Sequence, residues 1–449
     1  MLEMTSAEPS MSVVELVRML RAGATTPSEV LQMRKEAIRE YDRRLNAFIT
    51  VFGEDSTRRG RRDSLGGITI AVKDNVYVKG HRTTAGSRIL RNFVPACDAD
   101  VVARLKAAGA VILGKTNLHE FAFGVTNINP HYGDCRNPWN VDRVSGGSSG
   151  GSAVAVAQGM ACAAVGTDTA GSVRIPASLC GVVGFKPTGG LISTKGTVPL
   201  AWSFDTIGFL TRSVMDAALL TRLTAQRDAI PSTIRPGRLR GMKVGVPRNI
   251  QTEMDEDVMR LYDDALVTIE GGGGTLVRFD FPHYSEAIAC RGLITLAEAA
   301  SYHWRYFKER YREYGPDLRK RLAQGLAIPA AVYVDAQRAR RTLVDRYRSL
   351  FGRLDVIALP TTPIAAPTIK ESKDEASAQR IRRALLAFTE PFNVYGAPAI
   401  SVPCGLTRGN LPVGLQLAGD LNSDSRLLSL ALTLEGGLPR IPAGPPFES

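Results

Sequence analysis

Apolar and polar positions along the chain alternate in blocks that predict helices first and then strands. Residues 11–20 carry apolar side chains at helical spacing. Thr26-Pro27-Ser28-Glu29 is a capping box with proline at the first helical position, and it predicts a second helix that runs to about Leu45. Residues 47–52 and 68–73 are short apolar runs of strand character. The chain therefore enters a sheet soon after its first two helices.

The same alternation continues through the rest of the chain. We predict further helices over residues 99–108, from Ser213 onward, over 254–270 and over 425–435, and a long helix-rich segment over 285–351. We predict further strands over residues 110–114, 241–247, 275–279, 355–360 and 397–402. Repeated alternation of helix and strand is typical of a layered α/β fold. Because no internal repeat or clear linker interrupts the pattern, we expect residues 1–449 to form one domain.

Two glycine-rich turns carry the first candidate chemistry. They cover Gly146–Ser152 and Gly166–Ser172, and the small apolar segment Ala153–Val165 between them predicts a buried helix that leads into a strand. Glycine lets backbone N–H groups face a ligand, so a serine in such a turn can attack a carbonyl carbon while neighbouring amides stabilise the oxyanion. A flexible Gly/Ser linker would not lie between apolar elements and recur with the same hydroxyl-rich character.

A nucleophilic serine needs a base, and Lys73 is the nearest candidate upstream. It ends the β-branched run Ile68–Lys73, which follows a glycine pair. Burial penalises the charged form of lysine, so a lysine at the tip of a buried strand can lose its proton and act as a general base. Lys115, which follows the strand predicted over 110–114, is a second candidate. These residues alone give no argument that distinguishes the two lysines.

Taken together, these segments resemble the amidase signature family of hydrolases. The resemblance rests on Lys73 in GGITIAVKDN, Ser148 in GGSSGGSA and Ser172 in GTDTAGSVRIPA, in that order. It continues through residues 184–188, 205–208, 392–401 and 411–416. It implies an amidase signature fold, a large mixed central β-sheet flanked by helices on both faces. The catalytic core would cover residues 60–212, and a variable helix-rich region over 215–350 would shape the substrate pocket.

The resemblance also implies a Ser–Ser–Lys triad and an acyl-enzyme. Ser172 would be the nucleophile, and Ser148 would pass its proton to Lys73. Such an enzyme is an amidase that hydrolyses the C–N bond of a carboxylic amide and releases ammonia or an amine. It requires no metal and no organic cofactor.

Neighbouring residues have implied roles around this triad. The backbone amides of Thr169, Ala170, Gly171 and Ser172 would form the oxyanion hole, and the backbone carbonyl of Ala122 would hold the substrate. Asp168 and Arg174 flank the nucleophile and would form an ion pair that braces the loop. Ala170 stands where the commonest family pattern has glycine. If that position needs a positive φ, alanine would add about 1 kcal/mol of strain.

The net charge of +12 raises the question of nucleic-acid binding. The positive residues are scattered, and their densest cluster, Arg58-Arg59-Gly60-Arg61-Arg62, is interrupted by glycine in a predicted loop. We therefore expect a solvated basic surface, a small-molecule amide as the substrate and no nucleic-acid partner. Aromatic side chains within residues 285–351 are typical of core or of a dimer surface, so a homodimer is compatible with the sequence.

Cysteine usage and hydropathy bear on the compartment. The chain has six widely spaced cysteines, and no Cys/His set has the spacing of metal ligands. We expect free thiols, which suit a reducing cytoplasm. The sequence does not begin with a basic-then-apolar leader, and no stretch approaches the roughly 18 apolar residues of a membrane span. These observations favour a cytoplasmic protein without membrane association.

Three other functions on the same scaffold stay open. The A subunit of a tRNA-dependent amidotransferase would release ammonia from glutamine for a partner, although residues 121–129 depart from its usual wording and the chain is somewhat short for it. An allophanate hydrolase fits the Thr-Ala-Gly-Ser wording but usually carries an additional C-terminal domain. A non-catalytic binding protein would not need all three triad residues.

A different catalytic fold also matches part of the first turn. Gly146–Gly150 fits the G-x-S-x-G elbow of α/β-hydrolases, which needs a strand before it and a histidine after it. Residues 137–144 contain proline and are predicted to be a loop. Only His283 and His303 follow the serine, and neither lies in a strand–loop context. The elbow is therefore the weaker hypothesis.

Overall fold

A mixed β-sheet is the central feature of the fold. The computed structural model of the protein describes residues 8, 10–53 and 65–442. The strands are β1 (Phe48–Val51), β2 (Thr69–Lys73), β3 (Val111–Thr116), β4 (Arg136–Asn137), β5 (Asn140–Val144), β6 (Ala163–Asp168), β7 (Val183–Lys186), β8 (Thr206–Thr211), β9 (Lys243–Pro247), β10 (Thr275–Phe279), β11 (Val356–Pro360), β12 (Ala399–Leu406) and β13 (Pro412–Ala418). Within the described ranges, eleven of them form one sheet in the order β1-β3-β2-β6-β8-β7-β12-β13-β11-β9-β10.

Helices connect these strands and cover the sheet. They are α1 (Val13–Ala22), α2 (Pro27–Leu45), α3 (Asp100–Ala107), α4 (Gly150–Ala157), α5 (Arg174–Cys180), α6 (Val214–Thr224), α7 (Glu256–Gly271), α8 (Tyr284–Arg310), α9 (Pro316–Leu326), α10 (Ala330–Ser349), α11 (Ile369–Lys373), α12 (Glu375–Leu386), α13 (Pro391–Val394) and α14 (Asp424–Gly437). The capping box at the start of α2 forms as predicted, with the Thr26 hydroxyl accepting from the Glu29 N–H.

Strand β2 shows how the two faces of the sheet are buried. Ile70 and Val72 pack into one apolar cluster with residues of α1 and α3. Ala71 points to the other face and packs against the small residues of α4. All five residues of β2 are buried. The predicted fold class, a large mixed sheet with helices on both faces, is confirmed.

The pairing of the strands brings two strand ends to one edge of the sheet. β2 runs parallel to both β3 and β6, while β6 pairs with β8 in the antiparallel direction. Neighbouring parallel strands end at the same edge, where ligands of α/β proteins commonly bind. Lys73 ends β2 and Asp168 ends β6, so the lysine motif and the second glycine-rich turn meet there.

Some elements differ from the sequence-based expectation. The sequence predicts a loop over residues 137–144, but β4 and β5 pair there as a separate two-stranded sheet. The long segment over 285–351 divides into α8, α9 and α10. The arginine cluster Arg58–Arg62 lies outside the described residues. All six cysteines are free thiols, and five of them are buried.

Two other features are absent from the described residues. None of the helices there has the length and the apolar character needed to cross a membrane. The same ranges contain no group of three or more His, Cys, Asp or Glu side chains arranged to hold a metal ion.

Candidate active site

Lys73 is fully buried and surrounded by hydroxyl groups. Its Nζ donates to Ser148 Oγ at 2.7 Å and to Thr167 Oγ1 at 2.8 Å, and it lies 3.3 Å from the Thr167 carbonyl oxygen. No carboxylate in the described part of the chain lies within ion-pair distance of Nζ. Burial lowers the pKa of Lys73 to about 7, although the negative charges of Asp168 and Asp205 oppose this change. A substantial fraction of Lys73 is therefore neutral near pH 7.

Lys115, the second candidate base, has a different environment on the neighbouring strand. Its Nζ forms a buried ion pair with Asp74 Oδ1 at 2.8 Å and donates to Thr83 Oγ1 at 2.9 Å. Burial lowers the pKa of Lys115, and the attraction of Asp74 opposes that shift. A carboxylate close to a lysine favours the charged, protonated form of that lysine. The structure thus provides the distinction that the sequence lacks.

The two glycine-rich turns are in contact. The Ser149 N–H donates to the Ser172 carbonyl oxygen at 3.1 Å, and the Ser149 hydroxyl donates to the Thr167 carbonyl at 3.2 Å. Ser172 lies at the surface of a small cleft, whereas Ser148 is fully buried behind it. Within the described ranges, the Ser172 hydroxyl forms no hydrogen bond. Catalytic hydrogen bonds are often long before substrate binds.

The amides around Ser172 are not equivalent. The Gly171 N–H donates to Asp168 Oδ1 at 2.7 Å, so this amide is already engaged. This contact argues against the expected contribution of the Gly171 N–H to an oxyanion hole, which stays a prediction. The amides of Thr169, Ala170 and Ser172 form no backbone hydrogen bond in the part of the chain that the structure describes. They are the donors left for an oxyanion.

The replacement of glycine by alanine at position 170 causes no backbone strain. Ala170 is not among the residues with positive φ, whereas Gly171 has φ 128°. A Cβ atom at Gly171 would lie 2.2 Å from Thr389 Oγ1. The turn therefore needs glycine at 171 and tolerates alanine at 170.

A buried ion pair fixes the turn that carries Ser172. Arg174 donates to both carboxylate oxygens of Asp168, at 3.0 and 3.1 Å, and the Asn393 amide donates to Oδ1 at 2.9 Å. Burial alone would raise the pKa of Asp168, but the charges of Arg174 and Lys186 and the Asn393 hydrogen bond hold it well below its usual range. The Thr389 hydroxyl donates to the Ala170 carbonyl at 2.7 Å. These contacts connect the turn to the chain between α12 and α13.

Ala122 lies opposite this turn in the same cleft. It and Phe121 are two consecutive non-glycine residues with positive φ, 58° and 47°. Such conformations cost of order 1 kcal/mol each and persist where the surrounding structure enforces them. Both side chains are buried. The backbone at Ala122 therefore forms part of the wall of the cleft that also contains Ser172.

The cleft is small and partly open, and the empty space of about 300 Å³ in and around it includes open solvent. Its wall consists of Ala122, Phe123, Gly124, Val125, Thr169, Ala170, Ser172, Leu200, Arg291, Thr295, Arg382 and Leu386. The sequence did not point to Arg291 on α8 or to Arg382 on α12. The segment 375–386 has many charged residues and is typical of an exposed helix, so only its packing against the cleft shows its relevance.

A family of known proteins shares these motifs. The family model described as Amidase matches residues 29–428. The chain belongs to the amidase signature family. It is therefore similar to enzymes that act on amide C–N bonds, as the lysine and serine motifs implied.

Relatives match nearly the whole chain. The A subunit of a glutamyl-tRNA(Gln) amidotransferase from Anaeromyxobacter sp. (strain K) is 39% identical, and the match covers 94% of this chain and 95% of that protein. The crystal structure of the corresponding protein from Thermotoga maritima has a TM-score of 0.86 and 36% identity and covers 98% and 99% of the two chains. A crystal structure described as an amidase has a TM-score of 0.87 and 34% identity, covering 96% and 100%.

These relatives correct two expectations. The sequence predicted no nucleic-acid partner and a small-molecule amide as the only partner apart from a homodimer. Both parts of that prediction are wrong, because relatives that match over nearly their full length are named as the A subunit of a glutamyl-tRNA(Gln) amidotransferase.

Proposed function

We propose that the chain hydrolyses a carboxylic amide through Lys73, Ser148 and Ser172 and releases ammonia. The observation that carries the proposal is a lysine without a carboxylate partner that donates to Ser148 directly behind the cleft containing Ser172. Neutral lysine is a base of suitable strength when burial brings its pKa near 7. The family membership of the chain is consistent with this role.

The proposed reaction begins when Ser172 Oγ attacks the amide carbonyl carbon. The Ser172 proton moves to Ser148 Oγ as the Ser148 proton moves to Lys73 Nζ. The amides of Thr169, Ala170 and Ser172 stabilise the negative oxygen. Protonated Lys73 then returns a proton through Ser148 to the leaving nitrogen, and ammonia departs. Water hydrolyses the acyl-enzyme by the same proton path.

A finer proposal concerns the biological context of this activity. The named relatives support a role as the A subunit of a glutamyl-tRNA(Gln) amidotransferase, in which ammonia from glutamine would pass to a partner. Relatives over the full length favour this role over a free-standing amidase. The sequence of residues 121–129, which departs from the usual motif of that subunit, is the feature of the chain that argues against this role.

Ammonia release tests both levels of the proposal. The purified chain is assayed on a panel of aliphatic, aromatic and glutamine amides, with Ser172→Ala as the blank. Activity that disappears in Ser172→Ala supports the triad, and activity that survives contradicts it. Turnover of glutamine only in the presence of partner proteins and glutamyl-tRNA(Gln) supports the amidotransferase role. Efficient turnover of simple amides by the chain alone contradicts that role.

A further inference from the structure

Three arginines from three helices line the cleft or contact Phe123 in its wall. Arg291 comes from α8, Arg321 from α9 and Arg382 from α12. The guanidinium carbons of Arg321 and Arg382 lie 5.1 and 5.8 Å from the centre of the Phe123 ring. Arg291, Arg382 and Phe123 all line the cleft that contains Ser172. The positive charge is therefore concentrated at the substrate cleft.

Two of the three arginines are neutralised by their own carboxylates. Arg291 pairs with Glu390 at 2.6 Å, and Arg321 pairs with Asp317 at 2.5 Å. Arg382 forms neither an ion pair nor a side-chain hydrogen bond in the described part of the chain. Three cations and two anions leave one positive charge without a partner. That charge belongs to Arg382.

The environment of Arg382 favours binding of an anion. Burial and the charges of Arg321 and Arg291 lower the pKa of Arg382 to about 9. A partly buried cation without a partner is costly, and a bound anion removes that cost. Leu386, one turn further along α12, lines the same cleft. The guanidinium therefore faces the space that the substrate would occupy.

The rest of the wall indicates what kind of anion fits. One uncompensated positive charge matches a monoanion, and the planar guanidinium matches a carboxylate in a bidentate arrangement. Apolar side chains of Phe123, Val125, Leu200 and Leu386 line the same cleft as Arg382 and Ser172, and they suit a short aliphatic chain. The small size of the cleft favours a short acid over a bulky one.

The described part of the cleft wall offers no carboxylate that could pair with an ammonium ion. Among the described residues, the wall contains no aspartate or glutamate. Carboxylates close to the wall already have partners: Asp205 accepts from the Thr169 hydroxyl, Glu390 pairs with Arg291, and Asp317 pairs with Arg321. Glu298 accepts from the Ser203 backbone N–H and from Tyr333. An α-ammonium group would enter next to an uncompensated cation, which opposes its binding.

We propose that Arg382 binds a carboxylate at the far end of the acyl group, so that the enzyme prefers the monoamide of a small dicarboxylic acid over neutral amides and over amides with an ammonium group. This inference rests on the proposed amide hydrolysis at Ser172. It goes against glutamine as the preferred substrate, so the ranking of glutaramate and glutamine also tests the amidotransferase role. Glutaramate, which is glutamine without its amino group, carries the features that the cleft selects. Butyramide has a similar chain without the carboxylate.

The test compares kcat/KM for glutaramate, glutamine and butyramide in the wild-type chain and in two variants. Arg382→Met removes the guanidinium and keeps an apolar side chain of similar reach. Arg383→Met is the matched control, because it removes the same charge from an exposed position on the same helix. Arg382→Met is expected to lower kcat/KM for glutaramate by about 10- to 100-fold and to leave butyramide within about twofold. Arg383→Met is expected to change neither.

Three results would overturn the inference. These are an equal loss on glutaramate and butyramide in Arg382→Met, a wild-type preference for butyramide, and a wild-type preference for glutamine over glutaramate. A second measurement does not depend on turnover. Calorimetric binding of glutaramate to Ser172→Ala should be lost when Arg382→Met is added. Binding without any turnover by the wild type would support the carboxylate site and contradict the proposed hydrolysis, so the two failures are distinguishable.

Discussion

Two buried lysines on neighbouring strands have opposite surroundings. Lys73 ends β2 among hydroxyl groups, and Lys115 lies on β3 against the carboxylate of Asp74. Both side chains are fully buried, and the two strands pair in parallel. Burial penalises the charged form of both lysines, but only Lys115 has a counter-ion that offsets this penalty. The partner of a buried lysine, more than its burial, decides whether it can act as a base.

The largest expected effect is the loss of the nucleophile. Ser172→Ala should reduce kcat by at least about 10³-fold, because it removes the hydroxyl that forms the acyl-enzyme. Steady-state ammonia release measures it, and circular dichroism checks that the fold is retained. Wild-type rates in this variant would contradict the whole mechanism.

Replacing each lysine by methionine separates the base from the structural ion pair. Lys73→Met should lower kcat/KM by about 10²- to 10⁴-fold with little loss of stability, since a neutral group replaces a largely neutral one. Lys115→Met should leave Asp74 buried without a partner and cost about 3–5 kcal/mol in the free energy of unfolding. Urea denaturation and ammonia release are measured on both.

The matched control for the second lysine is a double variant. Adding Asp74→Asn to Lys115→Met removes the uncompensated charge and should restore much of the lost stability. If Lys115→Met instead abolished activity in a stable protein, the roles of the two lysines would have to be exchanged.

The pH dependence of activity sharpens the comparison. The active form of Lys73 is neutral, and its pKa is about 7. Protonation below that pH removes the base, so kcat/KM on a neutral amide should fall about tenfold per pH unit below about pH 7 and level off above it. Lys186 also has a pKa near 7, so Lys186→Met is the control and should keep the midpoint. A profile that stays flat down to about pH 5 would contradict a lysine base.

The smallest expected effect concerns the hydroxyl that positions Lys73. Thr167→Val removes the acceptor at 2.8 Å from Nζ but leaves Ser148 in place. We expect a decrease in kcat/KM of about tenfold, the equivalent of one hydrogen bond. Thr167→Ser keeps the hydroxyl and should retain most of the activity. Equal losses in both variants would indicate a packing role instead.

The sequence predicted those parts of the fold and site that depend on local patterns. The capping box at Thr26, the strand that ends at Lys73 and the strand Thr275–Phe279 are short-range features, and the structure contains them. The motif containing Ser148 placed this serine beside Lys73 because the family pattern covers both segments. Periodicity and turn chemistry thus sufficed for most elements.

The sequence could not predict contacts that arise from long-range packing. Arg382 reaches the cleft only because α12 packs beside the nucleophile turn, where Thr389 donates to the Ala170 carbonyl 219 residues away in sequence. Residues in α12 look like those of an exposed helix. The sequence also could not show that Asp74 is the counter-ion of Lys115, since Asp74 comes from the segment after β2. In both cases the neighbouring strand or helix determines the role of the charge.

Direct titration of Lys73 tests the central claim most closely. NMR of protein labelled with ¹³C at the lysine ε-carbon follows the charge of each amine, and the spectra of Lys73→Met and Lys115→Met assign the two signals. We expect Lys73 to titrate with a midpoint near pH 7 and Lys115 to remain charged at that pH because of Asp74. A Lys73 signal that remains charged to about pH 10, the ordinary value for lysine, would contradict the account.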